Sequence, residues 1–128
     1  QIFPNINIIG IEPDEAKGIT DSLKSNQPLQ KVYINSIADS LCAPIHMPYS
    51  FSIAKQVIDE MFNITDKDMS EAMLFAYNQL KLFLEPACVA GFAALKKFQN
   101  NNFKEQNTLI LLCGSNIDFQ TWNSIVNN

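Results

Sequence analysis

Arginine is absent from these 128 residues, histidine occurs once, and no apolar run approaches the ~20 residues needed to cross a bilayer. With a net charge of -4 and only nine scattered lysines, no basic surface is available to track phosphates, which sets nucleic acid aside as a partner. A single histidine, His46, leaves a triad or an imidazole metal cluster without its second member, and it reads as a loop residue. Four glycines form no phosphate-binding motif. The three cysteines, Cys42, Cys88 and Cys113, make no C-x-x-C pair and are odd in number. They imply neither a disulfide framework nor a zinc site, so a soluble chain in a reducing cytoplasm, without a membrane span, is expected. No secretory h-region opens the sequence and residue 1 is Gln, so the start of translation is expected elsewhere.

With 47% hydrophobic residues, one domain with a core is within reach, and no linker or internal repeat divides it. Ile-rich Asn7 to Glu12 reads as a buried parallel strand closed by Pro13, with a helix over Asp14 to Leu23 whose first turn is acidic. Ile37 to Leu41 reads as the start of a helix capped by Ser36 and stopped by Pro44. Tyr49 to Met61 has a helical period, and Phe62 to Ile64 a strand. Thr65 and Asp68 form a capping-box pattern for a helix with Met69, Ala72, Met73, Ala76 and Leu80 on one face. Lys81 stands at a helix end, where a cation is favoured. Pro86 fits the first position of a further helix, Gln99 to Asn107 reads as a polar loop, and Phe119 to Val126 as a terminal helix. Strands alternating with helices predict an α/β fold with a mainly parallel sheet and flanking helices.

The stretch from Leu109 to Asp118 carries the most information. Its apolar run, Thr108 to Cys113, reads as a strand buried on both faces, ending abruptly in Cys113, Gly114, Ser115 and Asn116. Ligands of open α/β sheets bind where such strands stop, so a thiol is expected at a ligand-facing edge. Before it, Glu85 sets a lone carboxylate ahead of small-residue helix EPACVAG, where capping the helix and serving as an active-site acid are compatible readings. Asp39 is likewise an early-helix acid or an active-site wall, and Asn116 is expected to fix its turn by bonding to backbone.

LEPACVAGFAAL and LILLCGSNID together resemble the C-terminal part of fold-type II (tryptophan synthase β-like) pyridoxal-phosphate enzymes, in the threonine and serine dehydratase and serine racemase group. IIGIEPDEA is similar to the group's VxGVEP strand, IADSLCAPIHMPYSF to its TIADGLA segment, and VIDEMFNITDKDMSEAM to its VDEVVTVSEDEI step, in the same order. The resemblance implies pyridoxal phosphate as cofactor and a small amino acid as substrate. A parallel sheet cut before Gln1 would keep one side uncovered, and the apolar surface left bare is expected to be buried in a dimer, making the chain a homo-oligomer. Dehydration of threonine or serine, racemisation of serine, and a catalytically incomplete binding fragment are the activities the resemblance leaves open. The group's Schiff-base lysine and phosphate loop have no counterpart here. Residues 1–128 are therefore expected to be a single partial domain, the C-terminal part of the cofactor domain, with the N-terminal half as missing partner and no activity alone.

By the same resemblance Cys113 faces the cofactor ring nitrogen, Gly114 and Asn116 form the turn below the ring, with Ser115 between them, and Glu85 lies at the site interior. Glu12 matches the first carboxylate of a divalent-cation site in some relatives and Ala16 the carbonyl ligand. Gly18 stands where the third ligand, a carboxylate, would be. That loss weakens a hard-cation site, and no metal is the favoured expectation.

Overall fold

A computed structural model of the protein describes residues 5–98 and 107–127, with the side chains of 96–98 outside that description. The polar loop expected over 99–107 and the Lys96–Lys97 pair therefore lie outside the described residues, Asn107 and the backbone of the lysines apart.

Strands β1 (Ile9–Pro13) and β2 (Glu60–Ile64) pair in parallel, Ile9 opposite Glu60 and Pro13 opposite Ile64. Parallel neighbours need a crossover, which helices α1 (Gly18–Ser25) and α2 (Pro48–Val57) supply. The architecture is α/β, as the alternation of periods predicts. Helix α1 begins four residues later than the acidic pair Asp14 and Glu15 suggests. Its N-cap, Lys17, makes no side-chain bond; the free N–H groups of Ile19 and Thr20 are met instead by the Glu12 carboxylate, at 2.7 and 2.8 Å.

Helix α3 (Asp66–Phe75) starts on the expected capping box: the Asp68 N–H donates to Thr65 Oγ1 (3.1 Å) and the Thr65 N–H to Asp68 Oδ2 (2.9 Å). Asp68→Ala is expected to cost about 1 kcal/mol, read as a fall of ~3–5 °C in thermal midpoint. An unchanged midpoint would show that the box is idle. The helix widens into a π-helical turn over Ala76–Leu80 and stops at Lys81, whose left-handed backbone (φ 60°) and Nζ bond to the Asn78 carbonyl (2.7 Å) close it.

Pro86–Val89 forms a 3₁₀ turn that runs into α4 (Ala90–Phe98), and small residues Ala90, Ala93 and Ala94 bury its inner face against α3 and both strands. Ile64, Met69, Met73 and Val89 are fully buried at the centre of this core. Helix α5 (Phe119–Val126) is anchored by Trp122, 4% exposed, whose ring lies 5.2 Å from those of both Tyr77 and Phe83.

Two expectations are corrected. The helix expected from Ile37 is a short 3₁₀ turn, Asp39–Leu41, because Ser36 Oγ is drawn to Asp66 Oδ1 at 2.6 Å, tying this loop to the first turn of α3. The final strand is an extended segment that joins no ladder among the described residues. Only Ile110 and Leu112 turn inward, while Leu109 and Leu111 are 91% and 79% exposed, so the run is buried on one face rather than two. Gly91 permits the close approach on the buried side: a Cβ there would stand 2.7 Å from Ile110 Cγ2.

Candidate functional site

The extended segment delivers Cys113 to the point where the 3₁₀ turn and α4 begin, and there the chain bends through Gly114, Ser115 and Asn116. Glu85 and Cys88 hold this bend from beneath. Three residues apart, they sit on one side of the 3₁₀ turn, where i and i+3 side chains eclipse. Glu85 Oε2 accepts the Asn116 N–H at 2.9 Å. Cys88 Sγ accepts the N–H of Cys113 at 3.0 Å and that of Gly114, and lies 3.3 Å from Cys113 Sγ. A Cβ on Gly114 would stand 3.7 Å from both Cys88 Sγ and Glu85 Oε1, so the bend rests directly on the pair.

Glu85 therefore does not cap its own turn, since its side chain makes no cap bond there. The bond that fixes the turn at Asn116 is made by its backbone N–H rather than by its side-chain amide, with the Ile117 N–H to Ser115 carbonyl bond (2.9 Å) beside it. Cys113, Ser115 and Asn116 are exposed, whereas Cys88 is 1% exposed. Burial, then the neighbouring Cys113 thiol, push the Cys88 thiol above its ordinary range, outweighing the two backbone N–H donors that pull it down.

A cleft of about 520 Å³ opens beside the bend, lined among others by Asp39, Glu85, Ser115, Asn116 and Asp118. Asp39 opens a short 3₁₀ turn and lines this cleft, with the Ser40 N–H on its Oδ1 at 2.7 Å. Asp118 caps α5, and the Thr121 hydroxyl and N–H hold its carboxyl below the usual carboxylate range. Cys88 is the participant that sequence spacing left unassigned. Its position three residues after Glu85 was the available signal.

Glu12 and Ala16 lie elsewhere, at the end of β1 and before α1. Both Glu12 oxygens are occupied: Oε1 by the Ile19 N–H, Oε2 by the Thr20 N–H and hydroxyl, each within 2.8 Å. Ala16's carbonyl accepts the Gly18 N–H at 3.0 Å. Among the described residues no group of three or more His, Cys, Asp or Glu gathers where an ion could sit. His46 is in a loop, as read, but only 7% exposed, its ring edge-on to Phe51 at 5.7 Å.

Residues 1–114 match the family model described as pyridoxal-phosphate dependent enzyme. The chain belongs to this family. The phenylserine dehydratase of Ralstonia pickettii is 34% identical over 121 residues, covering 94% of this chain and 37% of the relative. The serine racemase of Schizosaccharomyces pombe is 24% identical, covering 93% of this chain and 36% of its own length. Among solved structures, the processed form of threonine deaminase isoform 2 from Solanum lycopersicum superposes with a TM-score of 0.92 at 26% identity, over 99% of this chain and 37% of that one. The chain thus spans well under half the length of these relatives, and its fold is that of fold-type II pyridoxal-phosphate enzymes. No helix among the described residues is long and apolar enough to cross a membrane.

The residues at the bend fit the family cofactor. A pyridine nitrogen asks for one donor or a shared proton, and the exposed Cys113 thiol on a backbone-pinned turn offers that. Pyridoxal phosphate could be held here by Cys113 and Gly114, with Asn116 and Glu85 fixing the turn.

Proposed function

We propose that the protein is a pyridoxal-phosphate-dependent ammonia-lyase that removes the β-hydroxyl of a small amino acid such as threonine or serine, these residues furnishing the ring-nitrogen end of its site. The observation that carries this reading is the exposed Cys113 thiol at the tip of a bend held by Cys88 and Glu85. The names of the relatives, dehydratases of phenylserine and threonine, support the same reaction class.

Bound pyridoxal phosphate supplies an electron sink for the pair left on the substrate α-carbon. How strong the sink is depends on the group facing the ring nitrogen, and Cys113 is a weak partner. A neutral thiol is a weak hydrogen-bond donor, so it shares a hydrogen bond with the ring nitrogen rather than charging it. Glu85 is the nearby group acidic enough to form a lasting ion pair with a protonated ring, but its Oε2 is committed to the Asn116 N–H. A moderated sink suits elimination, in which the hydroxyl leaves promptly. Asp39, Glu85 and Asp118 give the adjoining cleft an acidic wall.

A cation at Glu12 and Ala16 would have to displace the bonds that start α1, so the proposed reaction does not use one. A second copy of the chain is the proposed cover for Leu109 and Leu111, which line an apolar groove of about 630 Å³ with Ile6 and Ile9. The three free thiols suit a reducing cytoplasm.

The test is product analysis on the complete enzyme. Ammonia and a 2-oxo acid in equal amounts from L-threonine or L-serine are expected; D-serine without ammonia would replace elimination by racemisation. The 128 residues alone are expected to turn over neither, and borohydride reduction with pyridoxal phosphate should leave every lysine unlabelled, because no lysine among the described side chains bonds to the bend. A stoichiometric label on one lysine would overturn that expectation.

A further inference from the structure

Cys88 and Cys113 are 25 residues apart in sequence, yet their sulfurs are 3.3 Å apart, and the part Cys88 plays in holding the bend uses its sulfur only as an acceptor, with no demand for a reactive thiol. We propose that the two form a reversible disulfide, a redox modification site at the cofactor-facing bend.

Three features of the structure carry this. Closing the gap from 3.3 Å to the ~2.05 Å of a disulfide needs a shift of little more than 1 Å, on a bend where Ser115 and Asn116 are exposed. The two thiols differ in access: Cys113 is exposed and Cys88 is 1% exposed, so an oxidant reaches Cys113 first and Cys88 is protected until it is used. The N–H groups of Cys113 and Gly114 already point at Cys88 Sγ, where they stabilise the negative charge that a sulfur carries when it attacks.

With hydrogen peroxide as oxidant the step balances. Cys113 sulfur attacks one peroxide oxygen, the O–O bond breaks, and the departing hydroxide takes up the thiol proton as water, leaving a sulfenic acid on Cys113. Cys88 sulfur then attacks Cys113 sulfur, the S–O bond breaks, and the hydroxide leaves as a second water with the Cys88 proton. Two thiols and one peroxide become one disulfide and two waters. A dithiol reductant reverses the change by exchange. Cys42, whose Sγ donates to the Ala38 carbonyl at 3.2 Å, has no such neighbour among the described residues and serves as the internal control.

The consequence for activity rests on the proposed contact of Cys113 with the ring nitrogen: in the disulfide that thiol has no hydrogen to share. Loss of most of the turnover, regained with dithiothreitol, is expected.

Trypsin separates the three cysteines, with Cys88 in residues 82–96, Cys42 in 32–55 and Cys113 in the peptide beginning at 105. After peroxide treatment of the complete enzyme and alkylation, mass spectrometry without reductant should find the Cys88 and Cys113 peptides joined, lighter by two hydrogens than their sum, in most molecules. Cys42 should be alkylated. In Cys88→Ser the link should vanish and a sulfenic-acid trap should label Cys113. Sulfinic acid on Cys113 with no link in the unsubstituted protein, or links chiefly through Cys42, would overturn the proposal. A link that forms while turnover is untouched would leave the redox site standing and remove Cys113 from the ring nitrogen.

Discussion

Replacing Glu12 by alanine is expected to destabilise the protein by about 3 kcal/mol. The carboxylate is 6% exposed and receives the Ile19 N–H, the Thr20 N–H and the Thr20 hydroxyl. Two of these are the orphan donors of α1, and Lys17 at the N-cap offers no side-chain substitute. Alanine would leave all three donors facing a void at the end of β1, and the negative charge that favours the helix N-terminus would go with them. Bonds to a charged acceptor contribute roughly 1.5–3 kcal/mol each, and water entering the gap returns part of the sum, which sets the figure at about 3. The effect should spread to the sheet, because Thr20 Oγ1 also accepts the Asn63 amide at 3.1 Å from within β2. Urea denaturation should show a midpoint lowered by roughly 2 M, with Glu12→Gln in between because it retains one acceptor. A loss below about 0.5 kcal/mol would mean that α1 is started by something other than Glu12.

The same residue shows what sequence can and cannot carry. Capping by Thr65 and Asp68 is legible because both partners lie within one turn, and the pattern of types alone specifies the bonds. The start of α1 is not, because its cap comes from the preceding strand and the acidic pair Asp14–Glu15 offers a nearer but unused alternative. Apolar runs are ambiguous in another way. Thr108 to Cys113 has the composition of a strand buried twice over, yet burial depends on what lies beside it, and of its apolar residues Leu109 and Leu111 are exposed while Ile110 and Leu112 pack inward. The roles expected of Cys113, Gly114, Asn116 and Glu85 rest on resemblance, whereas the contact of Cys88 with Cys113 is visible only in the fold, since a spacing of 25 residues says nothing of a separation of 3.3 Å.

Cys113→Asp is expected to reduce elimination by about tenfold or more in the complete enzyme, while Cys113→Ser holds within roughly threefold of the unsubstituted protein. A serine hydroxyl replaces the thiol as a neutral, proton-sharing group and keeps the backbone N–H that Cys88 accepts. Aspartate differs in two respects. Its reference pKa near ~3.9 makes it an anion at neutral pH, so it would favour a protonated ring nitrogen on bound cofactor, which would then supply a stronger sink and move the balance from elimination toward return of the proton. It also sets a second carboxylate beside Cys88 and on the bend that Glu85 already holds through Asn116, so some loss of cofactor affinity accompanies the chemical change. The two contributions separate experimentally. At saturating pyridoxal phosphate only the chemical one remains, and the ratio of racemised to deaminated product should rise in the aspartate variant as total turnover falls. Equal product ratios for cysteine, serine and aspartate at saturating cofactor would place the ring nitrogen against some other group.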